Sequence, residues 1–167
     1  MIELRVLTAD DWPVWRELRL AALADAPYAF GSRLADWQGD GDREERWRAR
    51  LEIPGSYNVV AVLDGKAVGM VSGVPGPRAG VVELISLWVG ADARGRGVAD
   101  RLVRAVEEWG LEGGAEVLRL DVAPGNERAI AFYRRVGLED AGAGVGAEGG
   151  ELVMEKALRA QRPGPRR

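Results

Sequence analysis

Arg94, Gly95, Arg96, Gly97, Val98 and Ala99 stand where an apolar, β-branched run gives way to a helical repeat, a junction suited to holding an anion. The run Val81-Val82-Glu83-Leu84-Ile85-Ser86-Leu87-Trp88-Val89 reads as a buried strand. Past the glycines, Val98, Leu102, Ala105, Val106 and Trp109 fall on one face of a helix that must begin at or just after Gly97. The first amides of such a helix have no carbonyl partner within it, and the aligned peptide dipoles place about half a positive charge there. Glycine keeps side chains out of the approach, so a phosphate can bind to backbone alone. The dinucleotide fingerprint would require a third glycine where Asp100 stands, and the Walker A ending Gly-Lys-Ser/Thr occurs nowhere in the chain.

What the chain lacks narrows its chemistry further. It has no cysteine and no histidine, which removes disulfides, Cys/His metal sites, a thiol nucleophile and an imidazole base. Proton transfer is left to carboxylates, tyrosine, lysine, an amino terminus or water. No metal site is expected. A net charge of -3 argues against a nucleic-acid partner, whereas Arg94, Arg96, Arg101 and Arg104 gather around the glycine turn and suit a compact polyphosphate. No apolar run approaches the ~20 residues that span a bilayer, and no basic segment followed by an apolar stretch opens the chain. A cytoplasmic protein without a membrane partner is expected.

The elements that must position these residues follow from their patterns. With 167 residues, 47% of them hydrophobic and 29% charged, one core is expected. Residues 1–158 form that single domain in this reading, and 159–167 a disordered basic tail. Ile2 to Leu7 reads as a strand, followed by a helix that Thr8 or Asp10 could cap, Pro13 favouring Asp10. Asp42 to Leu51 is a charged helical pattern with Trp47 and Leu51 on one face. Tyr57 to Leu63 and Lys66 to Val74 are strands joined by the hairpin signal Asp64-Gly65. Gly113-Gly114 closes the helix after the glycine turn, and Leu118 to Val122 alternates as a strand. Asn126 can cap a last helix with Ala129, Phe132, Tyr133 and Val136 on one face and Gly137 as its left-handed stop. Leu138 to Gly150 reads as a glycine-rich loop between two final strands, the last from Glu151 to Leu158. The predicted fold class is α+β, with a mixed, mostly antiparallel central sheet of about seven strands and helices on both faces.

Two blocks of this layout resemble the GCN5-related N-acetyltransferases. Arg94, Gly97 and Ala99 occupy the places of that family's R/Q-x-x-G-x-G/A signature, behind the strand that ends Leu87-Trp88-Val89. Asn126, Ala129, Phe132-Tyr133 and Gly137 match its N-x-x-A-x-x-F-Y-x-x-x-G-F pattern, except that Leu138 replaces the usual aromatic. The resemblance implies the acyl-CoA N-acyltransferase (GNAT) fold, acetyl-CoA as co-substrate, and transfer to an amine by direct attack. It implies that the main chain of Leu87, Trp88 and Val89 holds the pantetheine arm. The amides from Arg94 through Gly95, Arg96, Gly97 and Val98 to Ala99 would hold the pyrophosphate, and the Val89 amide would face the developing oxyanion. Asn126 would cap its helix and touch the same arm. Tyr133 would protonate the departing thiolate, a transfer from a phenol near ~10 to an acid near ~8.5. Glu83, eleven positions before Arg94, takes the place of the catalytic base in several members. Read from the residues alone, Tyr133 equally packs beside Phe132, and Glu83 equally serves as a strand-end charge or an amine ligand, with water as the base.

The acceptor is not fixed by these motifs. Tyr28, Phe30 and Trp37, with Asp36, Asp40, Asp42, Glu44 and Glu45 nearby in sequence, could receive a cationic amine. A small-molecule amine is the first expectation, a protein or peptide amine the second, and acyl-CoA binding without catalysis the third. The resemblance also allows a homodimer, for which the sequence gives no support of its own.

Overall fold

In a computed structural model of the chain, described over residues 1–25, 34–143 and 152–159, hydrophobic periodicity and turn chemistry resolve into one sheet of seven strands. In chain order the elements are β1 (Ile2–Val6), α1 (Trp12–Asp25), α2 (Glu44–Leu51), β2 (Tyr57–Leu63), β3 (Lys66–Pro75) and β4 (Val81–Val89). They continue with α3 (Val98–Glu112), β5 (Val117–Val122), α4 (Glu127–Arg135), β6 (Glu139–Ala143) and β7 (Leu152–Ala157). The strands lie in the order β1-β2-β3-β4-β5-β7-β6. Every pairing is antiparallel except β4 with β5, which the crossover through α3 makes parallel. Among the described residues no helix is long and apolar enough to cross a membrane.

Each face of the sheet carries its own core. On one side Val59, Val71, Leu84, Leu118 and Leu120 pack against Val98, Leu102 and Val106 of α3 and against α4. On the other, Val60, Val62 and Met70 meet Trp15, Leu18 and Ala22 of α1 and Trp47 and Leu51 of α2. The period-2 alternation of β2 and β3 therefore feeds two apolar layers. Gly73 makes this packing close: a Cβ there would lie 2.5 Å from the Trp109 ring, which stacks on Tyr57 with centroids 5.4 Å apart.

The local signals resolve as their chemistry demands, with two corrections. Asp64 and Gly65 both take positive φ, 52° and 82°, as the tight β2–β3 hairpin requires. Gly137 takes φ 104° after α4, and the Leu138 N–H reaches back to the Tyr133 carbonyl at 2.9 Å. Thr8, and not Asp10, opens the first helical segment. The Asp11 carboxylate accepts the Thr8 N–H at 2.8 Å, closing a short turn over Ala9–Asp11 before α1 begins at Trp12, while Asp10 pairs with Arg48 of α2 at 2.9 Å. The stretch expected as a loop from Leu138 begins with an edge strand, β6, held by β7. The rest of it, 144–150, and the tail beyond Arg159 lie outside the described residues.

Candidate active site

The strand β4 is paired along its whole length on one side only. It meets β5 at three positions, Val81 with Val117, Val82 with Leu118 and Glu83 with Arg119, and from Leu84 onward the two strands separate. Beyond the gap, β5 is fully paired with β7, so the opening lies between two complete ladders. The Gly90 N–H bonds to the Val68 carbonyl of β3 at 2.8 Å. By the alternation of peptide direction along a strand, Trp88 also faces β3, and Leu87 and Val89 turn their N–H and C=O groups to the gap. The Val89 carbonyl accepts from Arg94 Nε at 3.0 Å, on that same open side.

A β-bulge sets this phase. One residue of β3 faces two of β4 between the pairs Met70–Trp88 and Ser72–Ile85. Ser86, inside the bulge, has φ +58°, a left-handed conformation unusual for a residue other than glycine. The extra residue lets Leu84, Leu87 and Val89 all pack towards α3 and α4, while Trp88 turns to the α1 side.

At the far end of β4 the chain makes the glycine turn. Gly95 and Gly97 take φ 78° and 81°, and Gly97 caps α3 through its backbone with no side-chain bond to the first amides. A Cβ on either glycine would meet nothing within 4 Å, so it is the positive φ that calls for glycine here. A cleft of about 340 Å³ opens above this turn, lined by Val89, Arg94, Gly95, Gly97, Val98 and Ala99 and, across it, by Phe132 and Arg135. Leu87, Arg96, Asn126 and Tyr133 do not line it. Arg94 is held by Asp25 at 2.5 Å, which also accepts the Trp88 indole N–H at 3.0 Å, and both bonds hold the Asp25 carboxyl below its ordinary range. Arg96 is exposed.

α4 brings the remaining residues to the same end of the sheet. The Asn126 side chain accepts the Ala129 N–H at 3.4 Å, the cap its position suggested. Tyr133 is partly buried against the α3-side core, its ring 5.5 Å from that of Phe132. Burial alone pushes its hydroxyl up to about 12. Arg135 pairs with Asp100 in the first turn of α3 at 3.0 Å, tying the two helices across the cleft.

Glu83 lies at the last paired position before the gap, on the face opposite Leu84. Its carboxylate meets Arg119 of β5 at 3.2 Å, and Arg119 also meets Asp121 at 3.1 Å. Desolvation raises the pKa of Glu83 above the ordinary carboxylate value, against the opposing pull of Arg119. Trp37 packs on Trp47 with centroids 4.6 Å apart and carries the Arg46 guanidinium 3.8 Å from its ring centroid. Tyr28 and Phe30 lie outside the described residues.

Four cleft or gap residues carry no functional assignment from the sequence alone. Phe132 belongs to the motif and to the apolar face of the last helix, neither of which marks it as a cleft residue. Arg119 was visible in principle, since the alternation Leu118-Arg119-Leu120-Asp121-Val122 puts both charges on one face. The Arg135–Asp100 pair, thirty-five residues apart, has no local signal.

Residues 15–138 match the sequence pattern of the acetyltransferase (GNAT) family. The chain belongs to that family. Among its relatives is an uncharacterized N-acetyltransferase of Methanocaldococcus jannaschii, 28% identical over 146 residues that make up 82% of this chain and 60% of the relative. The chain thus spans less than two thirds of that relative's length. The structure of the PaiA N-acetyltransferase of Thermoplasma acidophilum in complex with coenzyme A superposes with a TM-score of 0.75 at 18% identity, covering 94% of this chain and 99% of that one. The ribosomal-protein-alanine N-acetyltransferase of Brucella melitensis gives a TM-score of 0.73 at 27% identity over 93% and 99% of the two chains. The seven-stranded mixed sheet with four helices is the GNAT fold.

Proposed function

We propose that this GNAT domain transfers the acetyl group of acetyl-CoA to a primary amine by direct attack, with a small-molecule amine as acceptor. The gap between β4 and β5 carries this reading. It exposes the peptide groups of Leu87 and Val89 beside a glycine-flanked helix start, and so offers a linear amide-bearing chain a strand edge and its phosphates a helix N-terminus. Acetyl-CoA supplies an activated thioester carbonyl, and the groups that receive its pantetheine arm in this reading are main chain along β4. In this reading the amides from Arg94 to Ala99 hold the pyrophosphate, with Arg135 and Arg94 adding charge at the cleft.

The acid–base roles follow from position. Glu83, at the edge of the gap and raised by burial, takes a proton from the incoming ammonium, directly or through water. The Val89 amide donates to the carbonyl oxygen as charge develops there. Tyr133 stays protonated at every working pH and gives its proton to the departing thiolate. No cysteine is present to carry the acetyl group, which agrees with direct attack in a ternary complex.

A second reading, transfer to a peptide or protein amine, is favoured by the likeness to the Brucella protein, whose name describes an acceptor of that kind. Thiol release from acetyl-CoA, measured against parallel panels of small amines and peptides, separates the two. Turnover confined to small amines supports the first reading, and turnover confined to peptides replaces it. Acetyl-CoA that neither raises the melting temperature nor gives a calorimetric signal overturns both.

A further inference from the structure

Several arginines are matched to carboxylates: Arg16 to Asp42 at 2.5 Å, Arg48 to Glu44 at 2.8 Å and Arg134 to Asp140 at 2.8 Å. Arg50, in the last turn of α2, is different. Its Nη2 donates to Ser72 Oγ and to Ser86 Oγ, each at 3.1 Å, and its Nη1 to Asn58 Oδ1 at 3.3 Å. Its Cζ lies 5.0 Å from the Trp15 ring centroid. All of these partners are neutral, and among the described residues Arg50 meets no carboxylate. Burial and the charge of Arg19 push its pKa down to about 10, which still leaves it cationic at neutral pH. A partly buried guanidinium with a planar fork and no counter-charge is costly to the fold alone and well shaped for a carboxylate.

Its place gives the cation a use. Ser86 is the bulge residue of β4, and Leu87, whose peptide groups face the gap, is its neighbour in the chain, with Cα atoms ~3.8 Å apart. Glu83 and Ser86 lie on the same strand about 10 Å apart. Three of the five acidic residues that could receive a cationic amine are engaged elsewhere: Asp42 by Arg16 and the Trp47 indole N–H, Glu44 by Arg48 and Glu45 by Arg43.

We propose that Arg50 binds a carboxylate on the acceptor, so that the preferred substrate is a small primary amine that also carries a carboxylate, as an amino acid does. This rests on the acetyltransferase reading above and names its substrate class. Arg50 is then a specificity-determining residue: the amine reaches the gap beside Leu87 while the anion is held one residue away at Ser86.

The test uses the full chain with acetyl-CoA and matched pairs of amines, each amino acid beside its decarboxylated counterpart, with an aminoalkylphosphonate as a third arm. Thiol release gives kcat and KM for each. The amino acids are expected to exceed their decarboxylated partners in kcat/KM by about 10- to 100-fold, the range of a charge-assisted hydrogen-bond pair. Arg50→Gln should remove that preference through KM, leaving the KM for acetyl-CoA and the turnover of the decarboxylated amines within about twofold. Arg50→Lys, which keeps the charge without the fork, should fall between, and provides the comparison if Arg50→Gln does not fold by circular dichroism. The proposal is overturned by decarboxylated amines that react as well as amino acids, by an Arg50 variant that lowers both classes equally, by a preference for the phosphonate, or by acetyl-CoA binding without turnover of any carboxylate-bearing amine. Absence of acetyl-CoA binding instead refutes the underlying acetyltransferase reading.

Discussion

Replacing Tyr133 by phenylalanine removes one oxygen from α4 and isolates the acid step. Burial sets the hydroxyl at about 12, and an ordinary thiol lies near ~8.5, so proton transfer to the leaving thiolate is uphill by about 3.5 units, or about 5 kcal/mol. That is steeper than an unshifted phenol would face, yet water near ~15.7 faces about 7 units. With about half of the difference between tyrosine and water expressed in the rate, Tyr133→Phe should lower the chemical step by about 50- to 100-fold. Single-turnover acetyl transfer, quenched and followed by thiol appearance, reads that step without interference from product release. The fold should be indifferent, because desolvation is the cause of the raised pKa and no hydrogen bond holds the hydroxyl among the described residues, so its removal leaves no partner unpaired. The pH profile supplies a second constraint. A proton donor at about 12 stays loaded across the working range, so the wild-type rate should show no tyrosine limb below pH ~10. A Tyr133→Phe enzyme within twofold of wild type in single turnover, or an alkaline limb near pH 10 that vanishes in the variant, would refute the reasoning.

Three further outcomes follow from the same geometry. The raised pKa of Glu83 places the acidic limb of kcat/KM above the ordinary carboxylate value; Glu83→Gln should abolish that limb and lower the neutral rate, and Arg119→Met, which removes the pull that favours the carboxylate, should move it to higher pH. Asp42 is depressed to about 2 by hydrogen bonds from Arg16 and Trp47, so its stabilisation is complete above its unfolded value near ~3.9 and is lost as pH falls through about 2. Urea midpoints of wild type and Asp42→Asn should therefore differ at pH 6 and converge near pH 2. Gly97→Ala meets no atom within 4 Å but must hold φ 81°, at a cost of about 1–2 kcal/mol, and calorimetry should show weaker acetyl-CoA binding together with a lower melting temperature.

Elements whose causes are local were legible in the sequence, and contacts made across the sheet were not. Tyr57–Leu63 and Val81–Val89 were read with the bounds the structure gives, because alternation and hairpin chemistry act over a few residues. The caps were harder. Asp10 is as good a capping residue as Thr8 by type, and the choice was made by Arg48, thirty-eight residues away, which draws Asp10 aside. The backbone part of the candidate site was readable from Gly95 and Gly97, since positive φ leaves a glycine in the sequence. The role of Arg50 left no such trace: in α2 it reads as one more charge on a solvated helix, and only the register that aligns Asn58, Ser72 and Ile85 shows that it enters the sheet face instead.

The bulge at Ser86 explains why both halves of the site depend on one irregularity. Strict alternation through β4 would put Leu84, Ser86 and Trp88 on one face and leave Leu87 and Val89 on the other, which would set the indole of Trp88 against α3 and the two apolar side chains against α1. One inserted residue returns Leu87 and Val89 to the α3 side, sends Trp88 to Asp25, and keeps their peptide groups directed at the gap. A glycine at position 86 would accept φ +58° with less strain, but it would remove the oxygen that Arg50 holds at 3.1 Å. Serine therefore accepts a conformational cost to join the strand that faces the gap to the cation on the opposite layer, a coupling that a bulge built for curvature alone would not need.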